Sequence, residues 1–507
     1  MAAAILGDAE KIELPSISFR DQWSSLDRGE VDISTSLTTY NMERDVRETN
    51  SGGKRFTYSI PIVYAGSTFV GDPVYVDCAD RGETLLGNCR GLSVCVMGSS
   101  ATLSVVEEML DGSNTVVVST ALELLTNFVD GTCNVIAGPN VLVNQEALVR
   151  STGFEGPFVL GPRVYDKLPM AIISNGDDPE FGDLVNWVLR SLFVADSMGI
   201  TQTTAELFPT TSLWGKELGA MFQNAIAAIG NFGEMYGKWF EDRISRQGLN
   251  LLYTQGDSGL IYSMPFGDTL LDKKLTSEDV PGPLPGGTLE RIAQRGHLNC
   301  GIVDVGRNDE GAGVQRLGFA TWNATSDSWM GIDVDFCRGL SAALFSGDVD
   351  RVKYQVFSTI SDGFASLNSN QDVDLLAGAN YNMINDIREP TTGVGFAFGP
   401  PFYYDQVNGI VPYAIATRED DEQWLDFTTW LVYGTVYAEE YNLDAGDMPV
   451  VELFGEQYKQ SLRDATLAIG DYGQIYERNM ARYVPRSGPN LLNTGNDPQI
   501  NALWDFS

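Results

Sequence analysis

The chain has 507 residues, with 33 Lys and Arg against 68 Asp and Glu, a formal charge of −35. Such an excess of acid excludes a nucleic-acid binder, which needs cations against phosphates, and equally a protein that adsorbs to anionic membranes. At 43% hydrophobic and 10% aromatic it can bury real cores, and its length corresponds to roughly two to four domains. The acid is spread along the chain and reads as a solvated, repulsive surface, with no carboxylate spacing of a calcium loop. No apolar run approaches the ~18–20 residues of a membrane-spanning helix. The start, Met1-Ala2-Ala3-Ala4-Ile5-Leu6-Gly7-Asp8, lacks the basic and apolar regions of a signal peptide.

In chain order, the first clear elements are Ser93 to Met97 (strand), Leu103 to Leu110 (helix), Thr115 to Ser119 (strand), Ala121 to Phe128 (helix) and Asn134 to Ala137 (strand). Leu184, Trp187, Val188, Leu192 and Phe193 recur at helical spacing and predict a core-facing helix. Lys273 to Gly287, with Pro281-Gly282-Pro283-Leu284-Pro285-Gly286, has the composition of a domain boundary. Beyond it, Asn299 to Val303 reads as a strand. Gly331-Ile332-Asp333-Val334-Asp335-Phe336 leads into a helix from Cys337 to Phe345. Strand Val352 to Phe357, helix Ile360 to Leu367 and strand Val373 to Ala377 follow. The alternation predicts an α/β fold with a largely parallel sheet.

The chain also repeats itself. Thr39-Tyr40-Asn41-Met42-Glu43-Arg44-Asp45-Val46-Arg47-Glu48 matches Asn380-Tyr381-Asn382-Met383-Ile384-Asn385-Asp386-Ile387-Arg388-Glu389, an offset of 341. Pro169 and Trp187 match Pro412 and Trp430 at 243. Ala228-Ile229-Gly230, Arg246, Gly248 and Asn250 match Ala468-Ile469-Gly470, Arg486, Gly488 and Asn490 at 240. The fall from 341 to 243 means that the second copy lacks 98 residues, corresponding to about residues 66–163. A loss of that size implies a whole domain. Ala3 to Ile12 resembles Ala343 to Val352, so the first copy begins inside a helix and Met1 is expected to be an internal methionine of a longer protein.

Four segments stand out: Asp333-Val334-Asp335-Phe336-Cys337-Arg338, Thr38-Thr39-Tyr40 with Arg44-Asp45, Val94-Cys95-Val96 with Gly98-Ser99-Ser100, and Gly131-Thr132-Cys133-Asn134-Val135. With two α/β lobes, one inserted in the other, they give the chain a resemblance to the family 3 extracellular solute-binding proteins, the periplasmic general L-amino-acid-binding components of ABC transporters. It implies class II periplasmic-binding-protein-like lobes. One two-lobed copy, truncated at its N-terminus, is followed by a single-lobe copy. The implied domains are 1–65 plus 165–272 (lobe one), 66–164 (lobe two), a linker at 273–287, and 288–507 (lobe one of the second copy). It pairs Cys95 with Cys133 and Cys300 with Cys337, leaving Cys78 and Cys89 for a local bridge. Three such bonds suit an exported protein, in contrast to free thiols in a reducing compartment. No C-x-x-C pair and a single histidine, His297, speak against a zinc site.

The resemblance implies binding of a small amino acid or carboxylate between lobes, closing about Tyr64 and Leu168-Pro169. Arg44, Thr38 and Thr39 would hold the carboxylate from lobe one, and Ser99 and Ser100 from lobe two. Asn140 stands beside Pro139, which occupies the place of the family's ammonium-binding aspartate. The aromatic wall of the family's first strand is expected to be missing. In the second copy Asn385 replaces the arginine, Ala379 and Asn380 replace the threonines, and Phe319 stands where a stacking aromatic would, or in the core. Arg47 and Arg388 repeat, which indicates pairing within the lobe. No cofactor, metal or enzymatic activity is implied. An ABC-transporter permease is the implied partner, and the location is periplasmic or extracellular. The competing expectation is a degenerate tandem module, acting as a non-transport interaction or structural protein.

Overall fold

A computed structural model describes residues 1–507 except 86, 99, 111–113, 144–147, 149–151, 243, 253–258, 267–281, 305–316, 370–371, 388–393, 407–409 and 494–507. The strands, in chain order, begin with β1 (Ile33–Thr39), β2 (Phe56–Tyr58), β3 (Val63–Ala65), β4 (Ser67–Gly71), β5 (Ser93–Met97) and β6 (Asn114–Val118). There follow β7 (Val135–Pro139), β8 (Val159–Leu160), β9 (Leu168–Asn175), β10 (Leu298–Val303), β11 (Thr321–Asn323) and β12 (Ser328–Met330). The last are β13 (Val352–Phe357), β14 (Leu375–Asn380), β15 (Phe396–Phe398), β16 (Tyr403–Asp405) and β17 (Val411–Arg418).

They form three main sheets. The first is built on β9, which pairs antiparallel with β1, β2 and β3. The second has the order β6-β5-β7-β4-β8, parallel through β6-β5-β7 and antiparallel at β4. The third has the order β13-β10-β14-β17-β15, with β16 also on β17; β13-β10-β14 are parallel and β17 runs against its neighbours. The expectation of a largely parallel sheet is therefore corrected. Each long return strand runs antiparallel, and the first sheet holds no parallel pair among the described residues.

Local chemistry sets the helices. Asn41 and Asn382 both cap their helices from extended backbone, each accepting the N–H three residues on, from Arg44 and Asn385. The helix expected at Cys337 starts earlier, at Ile332, and runs to Leu344. Gly331 makes this possible: its φ is 136°, and a Cβ there would meet the Phe319 carbonyl oxygen at 1.9 Å. Asp333 and Asp335 then sit in the first turn, where the helix dipole favours acid. The strand expected over 373–377 lies further on, at Leu375–Asn380. The core-facing helix is Pro179–Ser197, with Leu184, Val188 and Leu192 buried.

Three disulfides are present, Cys78–Cys89, Cys95–Cys133 and Cys300–Cys337. The last two close separations of 38 and 37 residues, stabilising by ~3–4 kcal/mol each in the chain-entropy account. The halves of the chain share a core: Met42, Val46, Met264 and Phe266 pack with Trp430, Tyr437 and the third sheet's helices. Trp430 Nε1 donates to Asp45 at 2.8 Å, and Trp187 Nε1 donates to Asp386 at 2.7 Å. These two contacts are related by the offsets of 341 and 243.

Candidate ligand-binding cleft

The chain crosses between the first and second sheets twice, through Gly66 between β3 and β4 and through Lys167 before β9. Gly66 admits no side chain, because a Cβ would meet Val164 Cγ1 at 1.9 Å and the Asp166 carbonyl at 2.5 Å. Asn250 clamps the first crossing, accepting the Tyr64 N–H at 2.8 Å and donating to the Tyr64 carbonyl at 2.9 Å. Ser67 donates its N–H and hydroxyl to Asp166 at 2.6 and 2.7 Å. Burial raises that carboxyl to about 6 against these two bonds. Buried Lys167 donates to the Ser263 carbonyl at 2.7 Å and to Glu440 at 3.4 Å, which ties the second crossing to the long helix Glu422–Glu440. Burial lowers the Lys167 pKa while Glu440 opposes the shift.

Between these sheets lies a cavity of about 80 Å³. Phe19, Ser36, Thr39 and Arg44 line it from one side; Ser100, Ala101 and Pro139 line it from the other. Arg44 is the one charged side chain among the described lining residues. The short helix Met42–Arg47 presents it, Nη1 donates to the Thr39 carbonyl at 3.2 Å, and the Phe19 ring lies 5.7 Å from its guanidinium carbon. Burial lowers its pKa, and a guanidinium stays charged all the same. Opposite, the helix Ala101–Met109 opens on the cavity at its N-terminal, partly positive end.

Of the residues expected at the site, Thr39, Arg44 and Ser100 meet at this cavity. Thr38 does not: it is fully buried and donates to Gln22 at 2.7 Å, because alternate residues of a strand face opposite ways. Asn140 does not line the cavity either. Its N–H donates to the Gly66 carbonyl at 3.0 Å and its Oδ1 accepts the Gly66 N–H at 3.2 Å, so it staples the crossing. Ser99 and Arg388 lie outside the described residues. An aromatic ring that the sequence did not single out, Phe19, lines the cavity beside Arg44. It opens the short 3-10 turn Phe19–Asp21, after a stretch without regular structure where no periodicity marks it.

In the second half, Asn385 Nδ2 donates to the Asn380 carbonyl at 2.9 Å, the local bond that Arg44 makes to Thr39. Phe319 is 7% exposed and packs 5.1 Å from Tyr403 and 5.2 Å from Tyr413, as a core residue. Where the first half leaves for the second sheet, Tyr404 faces Pro412 directly across β16 and β17. Arg47 pairs with Glu43 at 3.2 Å on its own helix, as expected. A larger cavity of about 620 Å³ lies at the junction of the halves. There Arg47, Lys54, Arg55 and Arg291 face Asp420, Asp421 and Glu422, and none of the expected site residues lines it.

No protein-family model matches the chain. Among curated proteins, the glutamate/glutamine/aspartate/asparagine-binding protein of Rhodobacter capsulatus is 23% identical over 294 residues, covering 52% of this chain and 81% of that protein. The general L-amino acid-binding periplasmic protein of Rhizobium johnstonii is 24% identical over 293 residues, covering 52% and 80%. Among solved structures, a periplasmic binding protein of an ABC transporter from Brucella ovis, with glutathione bound, aligns at a TM-score of 0.43 and 23% identity over 52% of this chain and 86% of that one. The homologues are thus amino-acid-binding periplasmic proteins, binding proteins and not enzymes, matched across about half the chain. Among the described residues no helix is long and apolar enough to cross a membrane.

Proposed function

We propose that the chain is a solute-binding protein serving an ABC-transporter permease in the periplasm or outside the cell, built from two partial copies of one fold. Residues 1–65 and 165–272 make lobe one of the first copy, 66–164 its lobe two, 273–287 a linker, and 288–507 lobe one of the second. The observation that carries the binding function is the cavity closed by Arg44 and Thr39 on one side and Ser100 on the other. A bidentate guanidinium and a helix N-terminus together suit a carboxylate. Support for the two copies comes from contacts that recur at the sequence offsets. Asn250 on Tyr64 recurs as Asn490 on Tyr404. Arg246 paired to Asp196 recurs as Arg486 paired to Glu439. Only the first copy keeps its arginine, so the second acts as a fixed partner and not as a second site. The ligand is a small amino acid or carboxylate.

Thermal-shift and calorimetric screening of the full chain against the common amino acids and two- to five-carbon carboxylates tests the proposal. A ligand present at about 100 times its Kd stabilises by ~2.7 kcal/mol and raises the melting temperature. Neither heat nor shift with any of them defeats the reading.

A further inference from the structure

We infer that the cleft takes a small monocarboxylate lacking an amino group, and not an amino acid; this rests on the solute-binding reading above. A zwitterion needs two opposed countercharges, and the described lining residues supply one sign. Arg44 stands on one wall, and on the other the helix Ala101–Met109 presents its N-terminal end. Both favour an anion. The rest of the second wall is Pro139, Leu124, Leu125, Leu142 and Val143, and no carboxylate occurs among the described lining residues. An ammonium held against that wall loses its water and gains no countercharge, which is the costly case for a buried ion.

The backbone does not replace the missing carboxylate. β7 ends at Pro139, whose carbonyl already accepts the N–H groups of Leu142 at 2.9 Å and Val143 at 3.1 Å. Asp166, on the nearby crossing, accepts both Ser67 donors and is not part of the lining. Thr39 Oγ1 meets Met170 Sδ at 4.0 Å. Sulfur is a weak acceptor, so this hydroxyl is free to turn to a second ligand oxygen. A short-chain acid fits this lining, its carboxylate on Arg44 and its alkyl end on the leucine wall.

The experiment is calorimetric titration of the full chain with acetate, propionate, 2-oxobutyrate, alanine and glutamate, in the wild type, Arg44→Gln and Pro139→Asp. Propionate or 2-oxobutyrate is expected to bind the wild type at least tenfold more tightly than alanine. Arg44→Gln loses that binding, and Pro139→Asp reverses the order in favour of alanine. Alanine or glutamate binding the wild type more tightly than every monocarboxylate overturns the inference and leaves the solute-binding reading standing. No binding by either class overturns both. The wild-type order decides the question even where Pro139→Asp fails to fold.

Discussion

The two halves meet through the same tryptophan–carboxylate contact, yet each balances its charge differently. Asp45, which accepts Trp430, has Asp426 as its acidic neighbour, and Arg55 pairs with Asp426 at 3.0 Å. Asp386, which accepts Trp187, is surrounded by Asp183 and Glu419. Gly395, just before β15, takes the place that Arg55 has before β2, and a Cβ there would meet Glu419 Oε2 at 2.0 Å. The nearby cation is instead Arg190, which donates to the Tyr381 hydroxyl at 3.1 Å. Among the described residues, the first cluster thus holds a close ion pair that the second lacks, while burial raises carboxyls in both. Burial, then the charges of Asp386 and Glu419, push the Asp183 carboxyl up to about 9. Burial and Asp386 push Glu419 to about 7, and burial raises Asp386 to about 6 against Trp187 and Arg190. Asp45 reaches about 6 for the same reason, and Asp426 is also raised, by burial and then by Asp45. A repeated contact therefore preserves geometry while the neighbouring cation changes place, from Arg55 to Arg190.

The largest expected effect separates the two tryptophans. Trp430 is wholly buried and holds Asp45, whereas Trp187 is only half-buried. Trp430→Ala is expected to cost ~3–5 kcal/mol in denaturant unfolding and Trp187→Ala ~1–3 kcal/mol. Equal losses would erase the distinction between the two contacts. The pH effect is smaller. Between ~4, the ordinary carboxyl value, and about 9, Asp183 keeps its proton in the folded chain and loses it in the unfolded one. Stability therefore falls as pH rises across that window. The melting temperature of the wild type is expected to drop by several degrees from pH 5 to pH 9, and Asp183→Asn to flatten the drop. An unchanged slope in Asp183→Asn would place the excess protons elsewhere.

Much of this was legible in the sequence, because offsets between similar segments are also offsets between contacts. Asn41 and Asn382 cap alike, and Asn250 and Asn490 clamp alike. Arg44, Thr39 and Ser100 were identifiable from motifs that place them on opposite sides of a cleft. Thr38 and Asn140 were not separable from them, since adjacent residues read alike until strand register turns one inward and backbone pairing recruits the other. Phe19 sits in a stretch with no period and reaches Arg44 only through tertiary packing. Strand direction was misread because helix–strand alternation reports crossovers and is blind to a long return strand such as β9.

The central claim is that one half binds and the other supports it. Calorimetric stoichiometry tests this most directly, using the tightest ligand from screening on the full chain and on Arg44→Gln. One ligand per chain, abolished by Arg44→Gln in a variant that still unfolds cooperatively, is the predicted result. Two ligands per chain, or undiminished binding in Arg44→Gln, would contradict it.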